Sequence, residues 1–129
     1  MSCADVIAKL LVDADFSSCF SKVLPSALDC AEPIVVCEGT FSRDARLDGE
    51  ERGTVAVTVL VVREASADAE AVAGACERAV RRASWERYGE EWPWRVVGVD
   101  TSSPAFVERD GSGRYVWGFD VDCTVVRSL

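Results

Sequence analysis

Two stretches of this chain alternate apolar and polar residues at a strict period of two. In RYVWGFDVDCTV, the residues Tyr115, Trp117, Phe119, Val121, Cys123 and Val125 fall on every second position, with Asp120, Asp122 and Thr124 between them. In TVAVTVLVV, Val55, Val57, Val59 and Val61 alternate with Thr54, Ala56 and Thr58. Successive side chains of a strand point to opposite faces, so each stretch is read as a strand with one apolar face and one wet face. Such strands need a second layer to cover the apolar side.

That layer is visible between them. From Ser66 the period becomes helical: Ala69, Val72, Ala73, Cys76, Ala79, Val80 and Ala83 form one stripe, with Asp68 and Glu70 leading and Arg78, Arg81 and Arg82 trailing. Acids at the start and arginines at the end suit the helix dipole. Ser66 is the expected cap, and the helix is expected to run on through Trp85 to Tyr88 before Gly89. A shorter amphipathic helix is expected over Ala4 to Leu11, with Ser2 as cap, and a further helical turn around Phe16 to Leu24.

Shorter strands complete the pattern. Ile34 to Gly39 is β-branched and ends in glycine, and Trp94 to Asp100 follows Pro93. Thr40 to Gly53, crowded with charge, is expected to be a long hairpin connection, and Asp110-Gly-Ser-Gly113 a hairpin turn. The expected fold is α+β: a two-layer sandwich with a mainly antiparallel four-stranded sheet, helices on one face, and the order α-β-β-α-β-β. Its 129 residues form one domain, residues 1–129, without repeat or linker.

Charge and composition narrow the function. A formal charge of -8 argues against a sequence-specific nucleic-acid groove and against anionic membrane surfaces, which need clustered Lys and Arg. No segment reaches the roughly 20 apolar residues of a bilayer span, and the start MSCADVIAKLLVDADF lacks the basic, apolar build of a signal peptide. A cytoplasmic protein is expected. The six cysteines form no C-x-x-C pair and are read as reduced, structural thiols. Only Cys3, at a helix start, has the placement of a reactive one.

Catalytic chemistry finds little to work with. The chain has no histidine, the commonest general base and metal ligand, and it has neither a phosphate loop nor a nucleophile elbow. No catalytic, cofactor-binding or metal-binding residue is assigned, and no cofactor is expected. Asp120 and Asp122 project from one strand face, with Asp100 the candidate to join them in holding a cation, but the reading adopted is a wet or subunit-facing surface. The aromatics Trp85, Tyr88, Trp92, Trp94, Tyr115 and Trp117 admit three readings: core filling, a subunit contact, or a ligand pocket. In the last case the chain would be a small ligand-binding or regulatory α+β domain built around Trp94, Tyr115 and Trp117. The charged connection is either a solvated tip or an arm that orders against a neighbour. Candidate subunit-contact residues are Arg43, Arg46, Asp48, Glu50, Arg52, Asp120 and Asp122, together with the edges of the sheet.

The run WRVVGVDTSSPAFVERDGSGRYVWGFDVDCTVVR resembles the end of small bacteriophage tail-terminator (tail-completion) or minor capsid proteins of long-tailed phages and prophages. In these a strand leads through a T-S-P-x-F loop and a D-x-x-G-R turn into a final amphipathic strand. TVAVTVLVVREASADAEAVAGACERAV resembles their preceding strand and long helix. The resemblance implies a non-enzymatic subunit of a homohexameric ring on the tail tube, which stops tube polymerisation and offers a dock to the head-tail connector. It further implies assembly in the bacterial host cytoplasm and a final place in the virion tail or neck.

Overall fold

The structure is a computed structural model describing residues 3–17, 19–21, 30–47, 49–85 and 94–128. The elements are α1 (Cys3–Asp13), β1 (Cys19–Ser21), β2 (Ile34–Leu47), β3 (Glu50–Arg63), α2 (Ser66–Arg82), β4 (Arg95–Thr101), β5 (Ala105–Arg109) and β6 (Tyr115–Ser128). They build a mixed six-stranded sheet in the order β1-β2-β3-β6-β4, with β5 also paired to β6. All pairings are antiparallel except β1 with β2, which is parallel.

The α+β class and the one-sided helices match expectation, while the strand inventory does not. The four expected strands are β2, β3, β4 and β6; β1 and β5 are additions. β1 takes part of the segment expected to turn as a helix, Phe16 and Ser17 before it are not helical, and Ser18 and 22–24 lie outside the described residues. β5 lies in what was expected to be loop. Both are short edge strands created by pairing, Cys19 with Ile34 and Ala105 with Gly118. Neither is long enough to show a period of its own.

The largest correction concerns Thr40 to Gly53. Instead of a loop, β2 and β3 run on as a ladder to Leu47 and Glu50, with irregularities between Glu38 and Phe41 and between Arg43 and Ala45. β6 accompanies β3 to the end, Ser128 facing Glu50. Backbone pairing sustains these strands beyond the helices, where no apolar layer demands an alternating pattern.

The core forms where the two periodicities meet. Val55, Val57, Val59 and Val61 of β3 and Phe119, Val121, Cys123 and Val125 of β6 pack with Ile7 and Leu11 of α1 and Ala73, Cys76 and Val80 of α2. Each such Val, Leu or Ile contributes about 1.5–3 kcal/mol on burial. Small residues on the α2 stripe let its backbone approach the sheet. Tertiary contacts also serve the helix ends: the Cys3 N–H donates to Glu38 Oε1 at 2.8 Å. Ser66, expected as a cap, makes no capping bond; Ala65 is the N-cap, and the Ser66 hydroxyl accepts from Trp117 Nε1 at 3.2 Å. α2 ends at Arg82 with Ala83 extended, earlier than expected; Ser2 and 86–89 lie outside the described residues.

The cysteines are all free thiols. Cys3 is fully buried, and a hydrogen bond with Cys123 and desolvation push its thiol up, which disfavours the thiolate. Burial pushes Cys76 up to about 12.

Candidate functional site

On the face turned away from the helices Val35, Val62 and Val116 are buried, and beyond them the sheet is exposed. Across it stand Thr54, Ala56 and Thr58 of β3 and Asp120, Asp122 and Thr124 of β6, in register as Thr54 with Thr124, Ala56 with Asp122 and Thr58 with Asp120. β4 adds Asp100 directly opposite Asp122. All three aspartates are exposed, as expected for Asp120 and Asp122. Thr58 Oγ1 donates to Asp120 Oδ1 at 2.9 Å, and the Asp120 N–H donates to Ser102 Oγ at 2.8 Å. Among the described residues no group of three His, Cys, Asp or Glu side chains is arranged to hold a metal. Like charges facing each other across a ladder oppose folding by about 0.2–1 kcal/mol, so the Asp100–Asp122 pair adds nothing to stability.

The paired arm of β2 and β3 carries the other candidates. Arg43 is exposed and forms an ion pair with Glu51, whose side chain is only 3% exposed. Arg127 Nη2 donates to the other carboxylate oxygen of Glu51 at 2.6 Å. These bonds, that from Arg127 first, hold the Glu51 carboxyl below its ordinary value. Arg46 stands opposite Glu51 in the ladder, and Glu50 opposite Leu47. Arg52, exposed, flanks Val126 from one side as Arg95 does from the other. Asp48 lies outside the described residues. The candidates thus divide between an acidic open face and an arm stiffened by ion pairs.

Sequence reasoning missed what locks the arm. Phe41 crosses over Gly53, where a Cβ would lie 2.6 Å from its ring, and meets Trp94 with centroids 5.2 Å apart. Arg127 covers the Trp94 ring at 4.6 Å. Gly53 is the one legible hint, a residue without a side chain among charged neighbours.

The D-x-x-G-R turn is a hairpin, as expected, and more heavily tied than its sequence shows. Asp110 accepts from the Ser112 and Arg114 N–H groups and from Arg114 Nε at 2.6 Å. Burial raises the Asp110 carboxyl, but the bonds from Arg114 and Ser112 outweigh it and hold it below its ordinary 3.8. Arg114, 6% exposed, also donates to the carbonyls of Cys30 and Ala31.

Trp94, Tyr115 and Trp117 do not come together. Trp94 sits beside Arg127 at one end of β6, while Tyr115 and Trp117 occupy the other end, ten or more strand positions away, about 33 Å. They line no common pocket. A cleft of about 630 Å³ opens beside Ser84, Trp85, Arg95, Val96 and Val97 and includes none of the three. Among the described residues no helix is long and apolar enough to cross a membrane.

A family model described as "Bacteriophage tail terminator protein" matches residues 7–127. Among solved structures, a chain of the "Virion of native gene transfer agent (GTA) particle" is 19% identical, with 94% of this chain and 84% of that chain covered and a TM-score of 0.59. At that identity the likeness speaks for the fold. No curated protein matches the chain.

Proposed function

The chain belongs to the bacteriophage tail terminator family, and from that premise we propose that it is the subunit of a ring at the head-proximal end of the tail tube. It is a structural protein of the tail. In this reading six copies close head to tail, end tube polymerisation and present their far side to the head-tail connector. Assembly takes place in the cytoplasm of the bacterial host, and the ring stays in the neck of the virion.

One observation supports the reading most: the family match runs from α1 to the end of β6, so it includes the open sheet face as well as the packed core. That face carries Asp100, Asp120 and Asp122 on a chain of net charge -8. Turned towards the channel, it repels phosphates and lets DNA pass without being held. The uncompensated Asp100–Asp122 pair then has a use that folding alone does not supply.

The test is to add the purified protein to tube subunits during polymerisation and to measure tube lengths and end density by electron microscopy. Shorter tubes, each closed at one end by a ring of six copies, are expected. Tubes of unchanged length with bare ends would sink the proposal.

A further inference from the structure

The cleft of about 630 Å³ beside the end of α2 has no part in the reading above. Ser84 and Trp85, just past α2, line it together with Arg95, Val96 and Val97 at the start of β4. Its volume is that of a ligand pocket, which runs from about 300 to 1,000 Å³. Val96 is buried and Val97 is 47% exposed, so the cleft reaches from the core to the edge of the sheet. Among the described residues no strand pairs with the outer side of β4.

The polar groups around the cleft share one property: they lack partners. The Trp85 indole N–H is buried and has no acceptor. Among the described residues the side chains of Ser84 and Arg95 make no hydrogen bond or ion pair either. Arg95 is exposed in a chain with 22 Asp and Glu against 14 Lys and Arg, where Arg43, Arg63, Arg81, Arg114 and Arg127 each find a carboxylate. No carboxylate is among the described residues that line the cleft. Arg82, which shares the adjoining groove with Ser84, adds positive charge nearby. A buried donor without an acceptor is rare in folded proteins and calls for a reason.

Indole and guanidinium groups donate only, and a hydroxyl does so readily. A guanidinium matches a carboxylate with two parallel bonds, while the Trp85 ring, Val96 and Val97 offer apolar surface beside it. We infer that the cleft binds the C-terminal end of a partner peptide whose last residue is apolar, with the carboxylate on Arg95 and Ser84 and the last side chain against Trp85, Val96 and Val97. A chain end fits because its carboxylate and its side chain leave the same carbon, as the cation and the two valines here occupy consecutive positions. The peptide continues outward along the free edge of β4. Its end group also brings an oxygen to the Trp85 N–H.

The experiment titrates the protein with short fluorescent peptides ending in Leu, Val or Phe, each as free acid and as amide, and follows anisotropy. The indole N–H signals are recorded by NMR in parallel, that of Trp85 assigned from Trp85→Phe. A free-acid peptide is expected to bind and to shift the Trp85 signal, and its amide to bind at least about tenfold more weakly for want of the charge-assisted pair. Arg95→Gln weakens binding by a similar factor and keeps the wild-type melting curve, its side chain being exposed and unpaired. Arg78→Gln, the same change of charge at an exposed position of α2, leaves the affinity unchanged. Equal binding of acid and amide, full affinity in Arg95→Gln, or no binding by any of the peptides at about 1 mM would overturn the assignment. N-acetyl-leucine binding as tightly as the peptides would make this a site for a small apolar acid and overturn the peptide as occupant. The assay uses the protein without tube subunits, so its outcome is independent of the ring.

Discussion

Arg127 donates a 2.6 Å hydrogen bond to Glu51 from the position directly across the β3–β6 ladder, and Arg43 closes on the same carboxylate from β2. Three strands are thus tied together by one side chain beyond the reach of either helix. Glu51→Ala is expected to loosen this end of the arm while sparing the core. Amide exchange should speed up for residues 41–43 and 51–53 and stay slow for 57–61; uniform loss of protection would contradict the assignment.

Acid should act through the same kind of bond. Glu51, Glu77 and Asp110 are all held below their ordinary values: Glu51 by Arg127 and Arg43, Glu77 by Arg81 and Thr101 against the cost of burial, Asp110 by Arg114 and Ser112 against the same cost. A carboxyl lowered in the folded state stabilises above its ordinary value and ceases to do so as pH falls through the folded one. The melting temperature is therefore expected to be flat from about pH 6 to 8, where a chain without histidine has little to titrate, and to fall below the ordinary glutamate value of 4.5. Thermal melts across that range check this, and a step near neutrality would count against it.

Gly53→Ala places a methyl 2.6 Å from the Phe41 ring and 3.0 Å from the Ser42 carbonyl. Displacing the ring from Trp94 should cost about 1–3 kcal/mol, as overpacking does. If the ring is the obstacle, the same substitution in a Phe41→Ala background costs distinctly less. Denaturation of the four proteins of the cycle gives the coupling, and additive effects would refute the contact.

On the open face, Asp100→Asn or Asp122→Asn removes a like-charge pair and should stabilise the fold by about 0.2–1 kcal/mol, the gain shrinking as salt screens it. Divalent cations should leave the melting temperature of the wild type unchanged. A cation-dependent rise lost in the Asp120→Asn, Asp122→Asn double variant would show a metal site instead.

Arg114→Ala leaves Asp110 and the carbonyls of Cys30 and Ala31 without their donor in a nearly buried place. The expected loss is about 2–3 kcal/mol, measured by chemical denaturation, with Arg114→Lys recovering only part of it because a single ammonium cannot reproduce the fork.

The sequence alone determined the parts that repeat. Valines at every second position of β3, the aromatic and aliphatic alternation of β6, and the alanine stripe of α2 each announce an element and its buried face, because burial imposes the element's own period on the residue pattern. The same logic put Asp120 and Asp122 on the uncovered side. The tertiary structure decided what has no period: β1 and β5, too short to show one and formed only by the strand beside them; the arm, whose ladder continues where no core constrains its side chains; and the bonds from Cys3 to Glu38 and from Trp117 to Ser66, which span 35 and 51 residues. Three aromatics near one another in composition and in the last third of the chain were parted by the length of β6. Local pattern records which face of an element is buried, whereas the neighbour across an edge, a cap or a ladder is chosen only when distant segments meet.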